Sequence, residues 1–231
     1  LTTEYQIFPA DTPLASPQIF SKRSRGLEYD LNHYEDHFYI LTNKDGATNF
    51  KVMKTHETMT EQAHWEEFIP HRPQVLLEDI SIFKDFYVLS ERSHGLSRIF
   101  IQPWDTNTQA HYLPFESETY TAYVGTNPEF DTHILRFGYN SLTTPASVYD
   151  YQVQTREKTL LKQQEVLDSS FKEANYISER IWATAADGTQ VPISLVYHKD
   201  TPVDGSSPLL QYGYGSYGHT SDPYFSTVRL S

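Results

Sequence analysis

Asp36-His37-Phe38-Tyr39-Ile40-Leu41 is echoed by Lys84-Asp85-Phe86-Tyr87-Val88-Leu89 and, more loosely, by Thr132-His133-Ile134-Leu135-Arg136-Phe137. Phe86 follows Phe38 by 48 residues, and Ile134 stands another 48 further on. Short aromatic and β-branched runs bounded by Asn, Asp, Gly and Pro read as strands between turns. Successive side chains of a strand point to opposite faces. His37, Tyr39 and Leu41 therefore share one face, and Phe38 and Ile40 the other. Both faces carry bulky groups, as in a sheet that packs on either side.

Each echo is the second strand of a similar set. The first set has neighbours near 27–33, 48–55 and 65–69, the second near 75–82, 96–102 and 110–113. The third has them near 119–125, 146–151 and 158–163. Four strands in a repeat of this length describe a β-propeller blade. The expected blades cover about 23–70, 71–115 and 116–165, with 1–22 as the tail of a preceding blade. A single β-sandwich with regular strand spacing is the alternative, and the two equal intervals favour the propeller. Tight hairpins are expected at Asn43-Lys44-Asp45-Gly46 and at His94-Gly95. Trp65 and Trp104 read as packing residues.

The pattern breaks after Lys162-Gln163-Gln164-Glu165, so a domain boundary is expected at 165/166. Two strands follow, Tyr176–Ala185 and Gln190–His198, joined at Asp187-Gly188. A Pro/Gly/Ser-rich loop, Asp200–Ser207, leads to a third expected strand, Pro208–Gly213. Its end and the residues after it hold Tyr212, Gly213, Tyr214, Gly215, Tyr217 and Gly218, three tyrosines and three glycines in seven residues. Glycines permit tight, positive-φ exits from a strand. A phenol held there can donate a hydrogen bond to an oxyanion; the plainer reading is an aromatic turn.

The runs Ser194–His198, Pro208–Gly218, Phe225-Ser226 and Arg229-Leu230-Ser231 resemble the prolyl oligopeptidase family of serine peptidases, in particular its oligopeptidase B (protease II) group. The likeness extends upstream through Tyr139–Pro145, Trp182 and Asp187-Gly188, over essentially the whole chain. The resemblance implies a mostly β chain, about three four-stranded β-propeller blades followed by the first strands of an α/β-hydrolase domain (166–231). It implies a Ser-His-Asp peptidase cleaving short peptides after Arg or Lys, with the propeller restricting entry. Tyr214 then falls where the family places a side-chain oxyanion donor. No G-x-S-x-G nucleophile motif occurs in these residues. The chain is therefore expected to be an internal piece, inactive by itself and prone to self-association through uncovered faces. A propeller used as an interaction module without catalysis is the alternative.

Composition narrows the field. The formal net charge is −12, and no basic face of the kind nucleic-acid binders use is visible. There are no cysteines, which excludes disulfides and thiolate metal sites. The ten histidines show no metal-ligand spacing, since His33 and His37 fall on a strand and turn and His94, His111 and His133 lie apart. No cofactor or metal is expected. No apolar run approaches the roughly 18 residues of a membrane span, and no signal-peptide pattern opens the chain. The expectation is a cytoplasmic protein. Paired carboxylates of the glycosidase kind do not stand out.

Overall fold

The computed structural model describes residues 1–230. A short ladder of β1 (Gln6–Ile7) and β2 (Gln18–Ile19) precedes three four-stranded sheets. The first contains β3 (Tyr29–Tyr34), β4 (His37–Thr42), β5 (Lys51–His56) and β6 (Glu66–Ile69). The second contains β7 (Leu76–Ile82), β8 (Phe86–Ser93), β9 (Leu96–Pro103) and β10 (His111–Tyr112). The third contains β11 (Tyr120–Val124), β12 (Ile134–Ser141), β13 (Ser147–Gln152) and β14 (Lys158–Gln163). In each sheet every strand neighbours the next in sequence. A two-stranded hairpin, β15 (Tyr176–Thr184) and β16 (Gln190–His198), and a single turn of helix, α1 (Thr227–Leu230), complete the described chain. The echoed runs become β4, β8 and β12, each second in its sheet. No helix among the described residues is long and apolar enough to cross a membrane.

The chain forms two compact units, Leu1–Ser93 with Phe100–Ala110, and His94–Ile99 with the residues from His111 onward. In the first unit β4 feeds two separate cores. Tyr39 and Leu41 pack with Val52, Leu77, Ile80, Tyr87 and Leu89. Ile40, on the opposite face, packs with Phe20, Leu27, Tyr29, Met53 and Trp65. Ile40 and Val52 are fully buried, and each such side chain contributes about 1.5–3 kcal/mol of transfer free energy. Trp65 and Trp104 are packing residues. Trp65 is buried, its Nε1 donating to the Thr60 carbonyl at 2.8 Å. Trp104 stacks on Tyr34 with ring centroids 4.8 Å apart, its Nε1 donating to the Phe83 carbonyl at 3.0 Å.

In the second unit β12 alternates differently. Leu135 and Phe137 are buried, whereas Ile134 and Arg136 are exposed. Arg136 forms a two-pronged pair with Asp150 on β13, at 2.8 and 2.9 Å.

The turns divide between expectation and correction. His94 and Gly95 have φ of 51° and 74° and join β8 to β9 as a two-residue hairpin whose twist suits antiparallel strands. Gly188, with φ of 86°, serves the β15–β16 turn. The Asp187 carboxylate there accepts from the Thr189 N–H at 3.0 Å, a bond that holds its pKa below the usual range. Asn43–Gly46 is not a tight hairpin. Its side chain is engaged elsewhere, Asn43 Oδ1 accepting from Glu28 N–H at 2.9 Å and Nδ2 donating to the Gly26 carbonyl at 3.0 Å. The connection instead makes a 3-10 turn over Lys44–Gly46 before β5 begins at Lys51.

Pro208–Gly213 does not form the expected third strand. An extended run becomes a strand only where a neighbour takes up its N–H and C=O groups, and among the described residues the sheet there has two members. Leu209 and Leu210 remain 76% and 77% exposed.

Candidate functional site

The Tyr/Gly stretch folds back on itself. Tyr217 and Gly218 take φ of 58° and 74°, and the His219 N–H donates to the Ser216 carbonyl at 3.1 Å. Two successive positive φ values closed by that bond describe a type I′ turn. Of Gly213, Gly215 and Gly218, only Gly218 uses the left-handed region. A bulky residue at positive φ, as Tyr217 is, carries a strain of roughly 1–3 kcal/mol.

With the turn centred on Tyr217-Gly218, Tyr214 lies opposite Ser221. The Ser221 hydroxyl bridges them, accepting from the Tyr214 N–H at 2.8 Å and donating to the Tyr214 carbonyl at 3.1 Å. The Tyr214 ring is 52% exposed, with the His219 ring 6.5 Å away. Among the described residues its hydroxyl makes no hydrogen bond. It borders an open cleft of about 630 Å³ lined also by Thr121, Tyr212, His219, Asp222 and Tyr224.

The other two tyrosines are disposed differently. Tyr212 faces the Arg229 guanidinium, which lies 4.9 Å from its ring centre and 4.5 Å from that of Tyr224. Such a cation between two rings holds both, each contact contributing about 0.5–1 kcal/mol at an exposed site. Tyr217 is almost wholly exposed. The segment behind the loop is tied to β11, β12 and β15. Thr121 Oγ1 donates to the Pro223 carbonyl at 2.6 Å, Phe225 N–H to Asn140 Oδ1 at 3.3 Å, and the Tyr176 hydroxyl to the Leu230 carbonyl at 3.0 Å. Nearby, Arg180 donates to the His94 carbonyl. Burial lowers the pKa of its guanidinium, while Tyr120 and Asp222 act in the opposite sense.

The cleft thus pairs a phenol of uncommitted hydroxyl with a carboxylate, Asp222, whose Oδ1 accepts from Thr220 Oγ1 at 3.0 Å. That combination can donate to a developing oxyanion and accept from a cation. Sequence reasoning named Tyr214 but not Ser221 or Arg229. Ser221 carries no sequence signal of its own, since its bonds to Tyr214 form only once Tyr217-Gly218 has reversed the chain. Three histidines are held by carboxylates or a phenol: His33 Nε2 to Glu57 Oε2 at 3.0 Å, His37 Nδ1 to Asp36 Oδ1 at 2.5 Å and His111 Nε2 to the Tyr151 hydroxyl at 2.8 Å. Among the described residues no group of three or more His, Asp or Glu side chains is placed to hold a metal ion.

Residues 2–164 match the model of the prolyl oligopeptidase N-terminal beta-propeller domain. The chain belongs to the prolyl oligopeptidase family. Its three four-stranded sheets are accordingly those of a propeller domain. Among relatives of this chain, Dipeptidyl aminopeptidase BI of Pseudoxanthomonas mexicana is 39% identical, covering 95% of this chain and 30% of the relative. Protease 2 of Moraxella lacunata is 30% identical, covering 99% and 32%. The solved structure of Oligopeptidase B from Trypanosoma brucei with covalently bound antipain, in its closed form, superposes with a TM-score of 0.88 at 32% identity. That match covers 99% of this chain and 33% of the other. The oligopeptidase-family chain spans about a third of the length of the curated relatives it matches.

Proposed function

We propose that this chain is the propeller portion and the first α/β-hydrolase strands of a serine oligopeptidase that cleaves short peptides after Arg or Lys. Its nucleophile, base and orienting carboxylate lie outside residues 1–231, and Tyr214 donates to the oxyanion. The observation that carries the reading is the half-exposed Tyr214, its hydroxyl uncommitted beside an open cleft, in a chain similar over 99% of its length to an oligopeptidase B.

The division at 165/166 has independent support in β15–β16. Ile177, Ile181, Val191 and Ile193 share one face of that hairpin by register and are each between 37% and 45% exposed. Such a face suits strands that belong to a larger sheet with an apolar covering. It also supports self-association of the isolated chain.

The test is steady-state kinetics of the full-length protein on an N-blocked Arg-amide substrate. Tyr214→Phe keeps the ring and removes the hydroxyl, so kcat should fall about 10²–10³-fold with little change in KM. Tyr212→Phe keeps the ring that meets Arg229, and Tyr217→Phe alters a solvent-facing phenol; both should lose far less. Equal losses in all three, or wild-type kcat for Tyr214→Phe, would reduce the loop to an aromatic turn.

A second reading has its own observation, the 39% identity to a relative named as a dipeptidyl aminopeptidase. It predicts preference for dipeptide amides with a free amino terminus over blocked ones. Assaying both substrates on the same preparation separates the two. Activity on neither would favour an interaction module.

A further inference from the structure

We infer that Ser221 is a positioning residue for Tyr214, its hydroxyl fixing the backbone from which the phenol is presented. The inference rests on the oxyanion role proposed above for Tyr214. Tyr217 and Gly218 at positive φ, closed by His219 N–H to Ser216 carbonyl, bring the flanks of the loop together. In an ordinary hairpin the backbones of facing residues would then bond each other. Here the bridge is a side chain, with Ser221 Oγ taking the Tyr214 N–H at 2.8 Å and giving its own proton to the Tyr214 carbonyl at 3.1 Å.

A hydroxyl is the small group that can do both, since it carries one donor and two acceptor lone pairs. Holding the N–H and the carbonyl of one residue fixes the peptide planes on both of its sides. That sets the direction in which its side chain leaves the backbone. The control matters because the Tyr214 side chain has no polar anchor of its own among the described residues, its ring neighbour His219 standing 6.5 Å away. The distance from phenol to oxyanion is then governed through Ser221. A donor must sit within a few tenths of an ångström of its hydrogen-bond optimum at the position the oxyanion will occupy. Loss of the bridge should therefore weaken transition-state binding and leave the ground state nearly alone.

The bonds are exposed, so the effect is modest. Losing exposed hydrogen bonds of this kind corresponds to about a three- to tenfold fall in kcat, well short of losing the phenol. The experiment compares Ser221→Ala, Ser221→Val and Ser221→Thr with Tyr214→Phe and the double variant Ser221→Ala/Tyr214→Phe. All are made in the full-length protein, assayed on one N-blocked Arg-amide substrate, with unfolding midpoints alongside. Expected are the stated fall in kcat for Ala and Val at unchanged KM, recovery to within about twofold for Thr, which restores the hydroxyl, and almost no further loss when Ser221→Ala is added to Tyr214→Phe. Val and Thr have the same shape, so their difference isolates the hydroxyl even if Ala loosens the loop. Full additivity in the double variant, Thr no better than Val, or wild-type kcat for Ala and Val would overturn the inference while leaving Tyr214→Phe to report on the oxyanion role. Wild-type kcat for Tyr214→Phe would remove both.

Discussion

Replacing Arg72 by Met should unfold the protein at a markedly lower temperature, because it removes the guanidinium that bonds a buried carboxylate. Glu91 stands on β8 opposite Leu77 of β7. It lies on the same face as Tyr87 and Leu89, both core residues. It is fully buried, and the Arg72 guanidinium, from the connection after β6, bonds its Oε1. The Arg72 side chain is itself 35% exposed and that of Glu91 0%, so water reaches the pair from the arginine side. Breaking a buried pair from one side costs about 3–5 kcal/mol. Water reaching the arginine end argues for the lower figure, about 3 kcal/mol. For a chain of this size that corresponds to a Tm lower by roughly 6–12 °C. Circular dichroism melts at neutral pH measure it. Arg72→Met/Glu91→Met, which removes both charges, should recover most of the loss, since an apolar pair of similar volume is often neutral or better. A Tm for Arg72→Met within about 2 °C of wild type, or a double variant as damaged as the sum of its singles, would refute the reasoning.

Two further outcomes are expected. Burial raises the Asp79 carboxyl above the usual range, against the Ser81 hydroxyl that favours its charge, with Asp30 adding a like charge. A carboxyl whose folded pKa exceeds its unfolded one withdraws stability as pH rises from the ordinary carboxylate range through the raised value. Asp79→Asn should therefore gain on wild type between about pH 4 and neutrality and converge with it in acid, as read from Tm against pH; a gap that widens toward acid would contradict the sign. Gly95→Ala should cost more than Gly46→Ala. Both sit at φ near +75°, but a Cβ at Gly95 would lie 2.9 Å from Arg180 Nη2 and 3.1 Å from Pro192 Cγ, whereas nothing lies within 4 Å at Gly46. Equal unfolding midpoints would mean that the contact at the hairpin tip contributes nothing.

The strand plan was legible because it depends on local pattern. Phe38, Phe86 and Ile134 mark β4, β8 and β12, and His94-Gly95 and Asp187-Gly188 are turns whose backbone needs are written in their residue types. What was not legible depends on partners. Asn43 looked like a turn residue, but its amide binds Gly26 and Glu28 fifteen and more residues earlier. Leu209-Leu210 looked like a strand, but pattern says nothing of whether a neighbouring ladder is present. Tyr214 was legible as a candidate from its motif. Its hold on Ser221 was not, because that bond exists only once Tyr217-Gly218 has reversed the chain.

The two cores that meet on β4 bear on how such repeats are recognised. Phe38, Phe86 and Ile134 occupy equivalent places, as do Ile40, Val88 and Arg136, and both rows belong to one side of their strands. The other side reads Tyr39, Tyr87 and Leu135, then Leu41, Leu89 and Phe137. In the third copy Ile134 and Arg136 are exposed, and Arg136 pairs with Asp150 where the other copies carry Ile40 and Val88. On the side that remains covered, Leu135 and Phe137 are still large, apolar and buried. Large apolar groups recur in all three copies on one side of the strand only, so the repeat is better recognised from alternate residues than from overall identity.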